Sequence, residues 1–277
     1  MGRAGASMWA RADVRGRWKS LVALGILVGI TAGFAMAAYA GARRTDTSFE
    51  RLRERTNAPD AIVFASQSQQ FRVEPSVWDD LAKQPEVVKV APWVLALGAV
   101  EGDDEGVIMG SFDNRWIGDI DKGLLVAGRR YDPNAPDEAV VEEYAAKQEG
   151  IRVGDTIGYK PFLAKQFEND DEDPGPPAGP QLRIKVVGLV RTIEPHLFAG
   201  LVMMSPGVIK HHPDVLYATN AMVQLKRDSA DIGALQSSVN RLIGPGTPIL
   251  DLHQVQRRVD TTLDVEAAAL RLLALAI

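Results

Sequence analysis

The side chains that could do chemistry in this sequence are few and poorly spaced for it. The arrangement most like a metal site is His211-His212 followed by Asp214. Adjacent residues of an extended chain point to opposite faces, so the two imidazoles would not readily share one ion. The paired carboxylates Asp79-Asp80 and Asp103-Asp104 are also adjacent, which predicts solvated side chains rather than an acid–base pair.

Motifs typical of enzymes are absent from the 277 residues. The chain lacks the G-x-x-x-x-G-K-[ST] loop that binds nucleotide phosphates, the G-x-S-x-G elbow of hydrolases and the H-E-x-x-H pair of zinc proteases. It has no cysteine, which excludes disulfides, thiol catalysis and thiolate metal sites. We therefore expect no enzymatic activity, no cofactor and no metal on this chain.

The uncharged stretch from Ser20 to Ala42 is long enough to cross a bilayer as a helix, at about 1.5 Å per residue against about 30 Å of hydrocarbon. Small residues recur at every fourth position within it. In lipid, helices associate by close backbone approach across such residues. The sequence therefore predicts that this span packs against other membrane helices through a stripe formed by Gly25, Gly29, Gly33, Ala37 and Gly41.

A cleavable signal peptide is the alternative for this segment, because Ala38 and Ala40 fit a cleavage site and the domain would then be secreted. The long apolar core and the nineteen residues before it favour a retained span. Basic residues flank the span on both sides, so charge alone does not set its orientation. Large domains translocate largely regardless of charge, which predicts that residues 1–19 are cytoplasmic and that the following domain is outside.

A second apolar run extends from Leu263 to Ile277 without a cap or a polar tail. It predicts that residues 259–277 begin a stalk or second transmembrane helix of a longer, multi-pass protein. A terminal amphipathic helix docked on the domain is the alternative. Between these ends the composition is that of a globular domain, with 46% hydrophobic and 24% charged residues. Because the first nineteen residues are basic and the whole chain has a net charge of −5, the domain is acidic, which argues against nucleic acid as a partner.

Two β–α–β patterns predict the fold class: α+β, with a transmembrane helix followed by a split ferredoxin-like domain and an inserted, mainly β lobe. The first pattern runs from Ala61 to Val100 and the second from Ala221 to Leu252, with helices expected over residues 74–84 and 229–242. The insertion, about residues 111–213, contains short strand patterns. Within the insertion, the acidic, proline-rich residues 168–180 predict a solvated loop because they lack the ligand spacing of a calcium loop.

Aromatic and apolar clusters in the domain are expected mainly in its core. Trp78, Trp93 and Trp116 lie in apolar surroundings, which predicts burial. The patch from Leu197 to Met204 is expected to be a buried strand, and the alternative is a hydrophobic surface for a ligand or partner.

Several of these segments resemble permeases of the FtsX-like/MacB type, in particular actinobacterial members. The basic segment Val14–Ser20 running into Leu24–Ile30 is similar to the start of such permeases. Residues 140–157, with Val153-Gly154-Asp155 as the most specific piece, and the strand Ile184–Val190 resemble the family's extracytoplasmic core domain. The resemblance extends over essentially the whole chain.

The resemblance implies an ATP-driven permease subunit in a bacterial cell membrane, multi-pass in its full length, acting in export or mechanotransmission. It implies a cytoplasmic segment 1–19, a span 20–42 and an extracytoplasmic domain 43–258. The implied partners are an ABC-type ATPase subunit that hydrolyses ATP, a second permease copy, membrane lipid, and an extracytoplasmic protein or hydrophobic substrate. The acidic loop 168–180 departs from the family pattern. The alternative function is a membrane-tethered extracytoplasmic binding or sensor module with a single span.

Overall fold

The computed structural model describes residues 51–68, 73–167, 173–192, 202–255 and 257, without the side chains of residues 103–105, and nine positions between Lys19 and Met36. The chain divides into two units, Met1–Leu52 and Arg53–Ile277. The nine positions are helical and exposed. Most of the predicted span and all of residues 259–277 lie outside the described residues. None of the helices formed by the described residues combines the length and the apolar character needed to cross a bilayer.

The second unit is a mixed α/β structure around a large sheet, as the sequence predicts at that level. Residues 51–56 and 252–255 are helical, and the longer helices with both ends described are α1 Pro75–Ala82, α2 Glu143–Glu149, α3 Pro206–His211 and α4 Ile232–Leu242. The strands are β1 Ala61–Val63, β2 Val87–Val100, β3 Asp103–Ser111, β4 Leu124–Gly128, β5 Glu138–Glu142, β6 Thr156–Pro161, β7 Leu182–Arg191, β8 Val202–Met204, β9 Tyr217–Leu225 and β10 Ile249–Asp251.

Strands from the two ends of the domain form one antiparallel layer in the order β10-β1-β9-β2. Helices α1 and α4 cover one face of it. Trp78 and Leu81 of α1 meet Leu235 and Val239 of α4 in a buried apolar core. This spacing of three or four residues places the apolar side chains on one face of each helix.

Local sequence explains where these two helices begin and end. Pro75 begins α1, where a missing N–H costs nothing, and the helix ends just before Pro85. Gly244 (φ +145°) and Gly246 (φ +82°) follow α4 and turn the chain into β10. Positive φ is accessible to glycine without a steric penalty.

Together with β2 and β3, strands of the insertion close a ring in the pairing order β2-β3-β8-β5-β7-β6 and back to β2. Inward-facing apolar side chains fill the ring, with Tyr159 fully buried among them. The Tyr159 hydroxyl donates a hydrogen bond of 2.6 Å to the Ala96 carbonyl. A closed ring leaves no unpaired strand edge along the paired segments.

A third core lies on the sheet face opposite the helices. Trp93 and Trp116 pack there with their ring centroids 5.7 Å apart, and Phe64 meets Trp93 edge-on at 6.4 Å. The burial expected for Trp78, Trp93 and Trp116 is confirmed, since none is more than 1% exposed. The sheet is therefore covered on both sides.

Strand β2 belongs to both the antiparallel layer and the ring. It pairs with β9 from Val87 to Ala96 and with β3 from Trp93 to Val100. The strand continues through Pro92, whose carbonyl accepts the N–H of Phe112 just beyond the β3 ladder. Because the N–H and C=O of one strand residue point to the same side, the N–H that proline lacks faces the end of that ladder.

The ring is not formed by the predicted insertion alone, because β2 and β3 supply two of its walls. Two elements within the insertion, strand β4 and helix α3, were missed. Of the patch Leu197–Met204, Val202–Met204 is a buried strand, as expected, and residues 197–201 lie outside the described residues.

Candidate functional site

The predicted helix-packing stripe is only partly within the described residues. Gly25, Gly29 and Gly33 are helical, and no described atom lies within 4 Å of the position that a Cβ would take at each. Ala37 and Gly41 lie outside the described residues. Helix packing through this stripe therefore stays a prediction.

An ion-pair cluster, which we call the junction, joins the first and last described parts of the domain. It consists of Arg53, Asp60 and His253. Asp60 Oδ1 lies 3.2 Å from Arg53 Nη2 and 2.7 Å from His253 Nε2. The Arg53 and Asp60 side chains are 13% and 11% exposed, so the pair is largely shielded from water.

Asp60 also holds three strands together. Its backbone N–H donates to Val223 of β9, and its carbonyl accepts the N–H of Leu252 beyond β10, at 2.9 and 3.0 Å. Its Oδ2 accepts the N–H of Leu225 at 2.8 Å. Asp60 immediately precedes β1, so it extends the ladders that join β1 to both of its neighbours.

The junction has the donor set of a metal site but is already occupied by a cationic side chain. Ligand atoms of Asp60, Asp228 and His253 lie within 4.8 Å of one another. Arg53 Nη2, however, is 3.2 Å from His253 Nε2 and from Asp60 Oδ1. Because like charges repel, a divalent ion would have to displace the guanidinium. The geometry is that of an ion-pair network.

The residues singled out in the sequence for metal binding or acid–base chemistry do not converge. His211 is the last residue of α3, where its Nδ1 lies 2.8 Å from the Gly207 carbonyl, and His212 is the residue that caps this helix. Burial, together with the neighbouring His211, lowers the pKa of His212. Asp79 pairs with Arg115, and Asp80 pairs with Lys83.

A cavity of about 850 Å³ opens at one end of the ring. Glu101 and Glu149 are the only charged residues among the described residues that line it. The other lining side chains are mainly aliphatic, and they include Val100, Val107, Ile108, Val141, Ile151, Ile157 and Val202. Such a cavity can accept an apolar group, and Thr156 adds a hydroxyl to its lining.

The most specific motif of the sequence forms a structural turn. Gly154 (φ +100°) donates its N–H to the Val186 carbonyl at 2.8 Å. Asp155 accepts the Arg152 N–H on its side chain at 2.7 Å and the Val186 N–H on its carbonyl at 2.9 Å. The turn therefore sets the start of β6 against β7.

A second glycine of the motifs, Gly188 in β7, allows close backbone approach. A Cβ at this position would overlap the Arg129 carbonyl oxygen. Both neighbouring strands change register around it, β4 between Leu125 and Ala127 and β5 between Ala139 and Val140.

Sequence reasoning missed the junction, although a signal for it exists. Asp60 directly precedes the apolar strand β1, and His253 comes two residues after β10. In an antiparallel pair the start of one strand adjoins the end of the other, so polar residues at these two positions meet. Predicting that β1 pairs with β10 would have brought them together.

Comparison with known families identifies the class of domain to which this architecture belongs. Residues 20–242 match the family model of the MacB-like periplasmic core domain. Since the match extends over most of the chain, the protein belongs to this family. A search of curated proteins finds no match.

Two solved structures are similar to this chain. One is the periplasmic region of MacB from Actinobacillus actinomycetemcomitans, with 12% identity, 73% of this chain and 92% of that chain covered, and a TM-score of 0.43. The other is the extracellular domain of the noncanonic ABC-type transporter YknZ from Gram-positive bacteria, with 11% identity, 69% and 97% covered, and a TM-score of 0.43. The resemblance to FtsX-like/MacB permeases predicted from the sequence is confirmed.

Proposed function

We propose that the protein is the membrane permease subunit of an ATP-driven, ABC-type complex for export or mechanotransmission. The observation that carries this proposal is the family match over residues 20–242. In the proposed complex, a partner ATPase hydrolyses ATP in the cytoplasm and the outer domain moves in response. The chain itself is not an enzyme, and two copies act as a dimer in a bacterial cell membrane.

The junction supports a mechanical role for the domain. Arg53 and His253 are 200 positions apart in sequence, yet both contact Asp60. The strand order β10-β1-β9-β2, with two β–α–β units, supports the interpretation of this layer as a split ferredoxin-like sandwich. In such a layout the chain enters and leaves the domain at neighbouring strands. Motion of the membrane segments would then act on one place in the fold.

A single-span sensor module is the alternative function. The apolar cavity of about 850 Å³ in the ring favours it, since ligand sites are concave and mostly apolar. The two functions differ in whether an ATPase is required.

Affinity purification from the native membrane in mild detergent tests the proposed function. We expect an ATPase with a phosphate-binding loop to co-purify in stoichiometric amount and the complex to hydrolyse ATP. The natural absence of cysteine allows single cysteines at Arg3 and Glu149 to report sidedness to a membrane-impermeant maleimide. We expect maleimide added from outside to label Glu149→Cys and not Arg3→Cys. A preparation without any ATPase, from a protein with one span, would favour the sensor module.

Substitution of the stripe glycines tests helix packing in the membrane. Gly29→Leu is expected to weaken association of the span about tenfold, because a large side chain keeps the helix backbones apart. The measurement is cross-linking between copies in membranes, together with the thermal stability of the solubilised protein. In the predicted helical span Leu27 would lie about 200° around the axis from Gly29, so Leu27→Ile is the matched control. Unchanged cross-linking and stability in Gly29→Leu would contradict the prediction.

A further inference from the structure

Asn57 links the helical residues before it directly to the inserted lobe. It follows the helical residues 51–56 and takes a left-handed conformation, with φ +55°. Its side-chain Nδ2 donates a hydrogen bond of 2.7 Å to the Asp119 carbonyl. Its own carbonyl accepts the N–H of Asp121 at 3.0 Å. Asparagine is among the few residues that adopt this backbone conformation at low cost.

The neighbouring residue extends the same contact. The Thr56 carbonyl accepts the N–H of Lys122 at 2.8 Å, and Thr56 is fully buried. Arg130 stiffens the receiving segment by donating to the carbonyls of Lys122 and Gly123, at 2.6 and 2.9 Å. The receiving segment, residues 119–123, leads directly into β4 of the lobe.

The opposite side of Asn57 is bound to the antiparallel layer. Gln224 of β9 directs its Nε2 at Asn57 Oδ1, at the Asn57 carbonyl and at the Ala58 carbonyl, at 3.0, 3.2 and 3.0 Å. Asn57 thus connects the helical residues before it, the antiparallel layer and the lobe. Its acceptor atoms bind groups of β9 and of the lobe, and its side-chain N–H group binds the lobe alone.

We propose that Asn57 is a coupling joint, through which displacement of the helical residues before it passes directly to residues 119–123 of the lobe. The proposal rests on the proposed function for the source of that displacement. The route does not run through the sheet, since the hydrogen bonds join the helix end to the lobe directly. Asn57 is therefore a positioning residue of the moving domain.

Spin-label distances in the full-length protein with its ATPase test this joint. Glu54→Cys paired with Glu149→Cys spans the helix end and the lobe, and Glu54→Cys paired with Ala234→Cys spans the helix end and α4. All three positions are exposed. Asn57→Gly keeps the backbone free to adopt positive φ. In this variant we expect the distribution of Glu54–Glu149 distances to become broader and the distribution of Glu54–Ala234 distances to keep its width.

Asn134→Gly, an exposed turn position in the lobe, is the matched control and should change neither distribution. If Asn57→Gly leaves the Glu54–Glu149 width unchanged, or widens both pairs equally, the joint is refuted. The proposed function is checked separately by the response of the unsubstituted chain to ATP. An absent response there would refute ATP-driven motion without altering what the widths show about the joint.

Discussion

Replacing Asp60 with alanine is expected to lower the free energy of unfolding of the domain by about 3–5 kcal/mol, the usual range when one partner of a buried ion pair is removed. The change leaves the Arg53 guanidinium without its carboxylate and the Leu225 N–H without its acceptor. Both groups are largely shielded from water, so solvent replaces the lost contacts poorly. Denaturant unfolding followed by tryptophan fluorescence measures the effect, because Trp78 and Trp93 are buried in the same unit.

Asp80→Ala is the matched control for that experiment. It removes an ion pair with Lys83 in which the side chains are 53% and 73% exposed. Exposed pairs contribute at most about 1 kcal/mol, so little change is expected. A loss in Asp60→Ala no larger than that in Asp80→Ala would show that the junction does not hold the domain's ends together.

Gly188→Ala is expected to destabilise the domain by about 3 kcal/mol, at the upper end of the range for overpacking. The added methyl group would overlap the Arg129 carbonyl oxygen, which is backbone and cannot rotate away as a side chain would. To remove this overlap, the end of β4 would have to move away from β7. That movement would also strain the hydrogen bond that the Arg129 N–H donates to the Val187 carbonyl. The same fluorescence-monitored unfolding measures the loss.

Gly233→Ala is the corresponding control, since it adds the same methyl group within α4. No described atom lies within 4 Å of the new Cβ, and alanine favours helix by up to about 1 kcal/mol over glycine. This variant should be as stable as the unsubstituted protein or slightly more stable. A Gly188→Ala variant of equal stability would mean that the β4–β7 approach is not constrained by this glycine.

The β–α–β units were predictable because their signals are local. A valine-rich apolar run marks β2, and the spacing of Trp78 and Leu81 marks α1. Alternation of apolar residues likewise marks β7 of the insertion. The closure of the ring was not predictable, because it depends on β2 pairing with β9 at one end and β6 at the other. No local pattern specifies such a change of partner.

Two further elements were missed for different reasons. Helix α3 has only six residues, and its start signal is Ser205, whose side chain accepts the Val208 N–H, followed by Pro206. That signal was readable as a cap followed by proline at the first helical position. Strand β4 contains two consecutive exposed apolar residues, Leu125 and Val126, at a register shift, so its alternation is interrupted.

Strand β2 has a consequence for how the domain responds to force. It runs for 14 residues, about 46 Å at the usual rise of a strand, with a register shift near each end. Its ladders to β9 and β3 overlap from Trp93 to Ala96, so the antiparallel layer and the ring share these residues. A pull along its axis loads many hydrogen bonds in shear at once, whereas a pull across it would open them one by one. The domain should therefore be stiff along β2 and compliant across it, and single-molecule pulling in these two directions should give clearly different rupture forces.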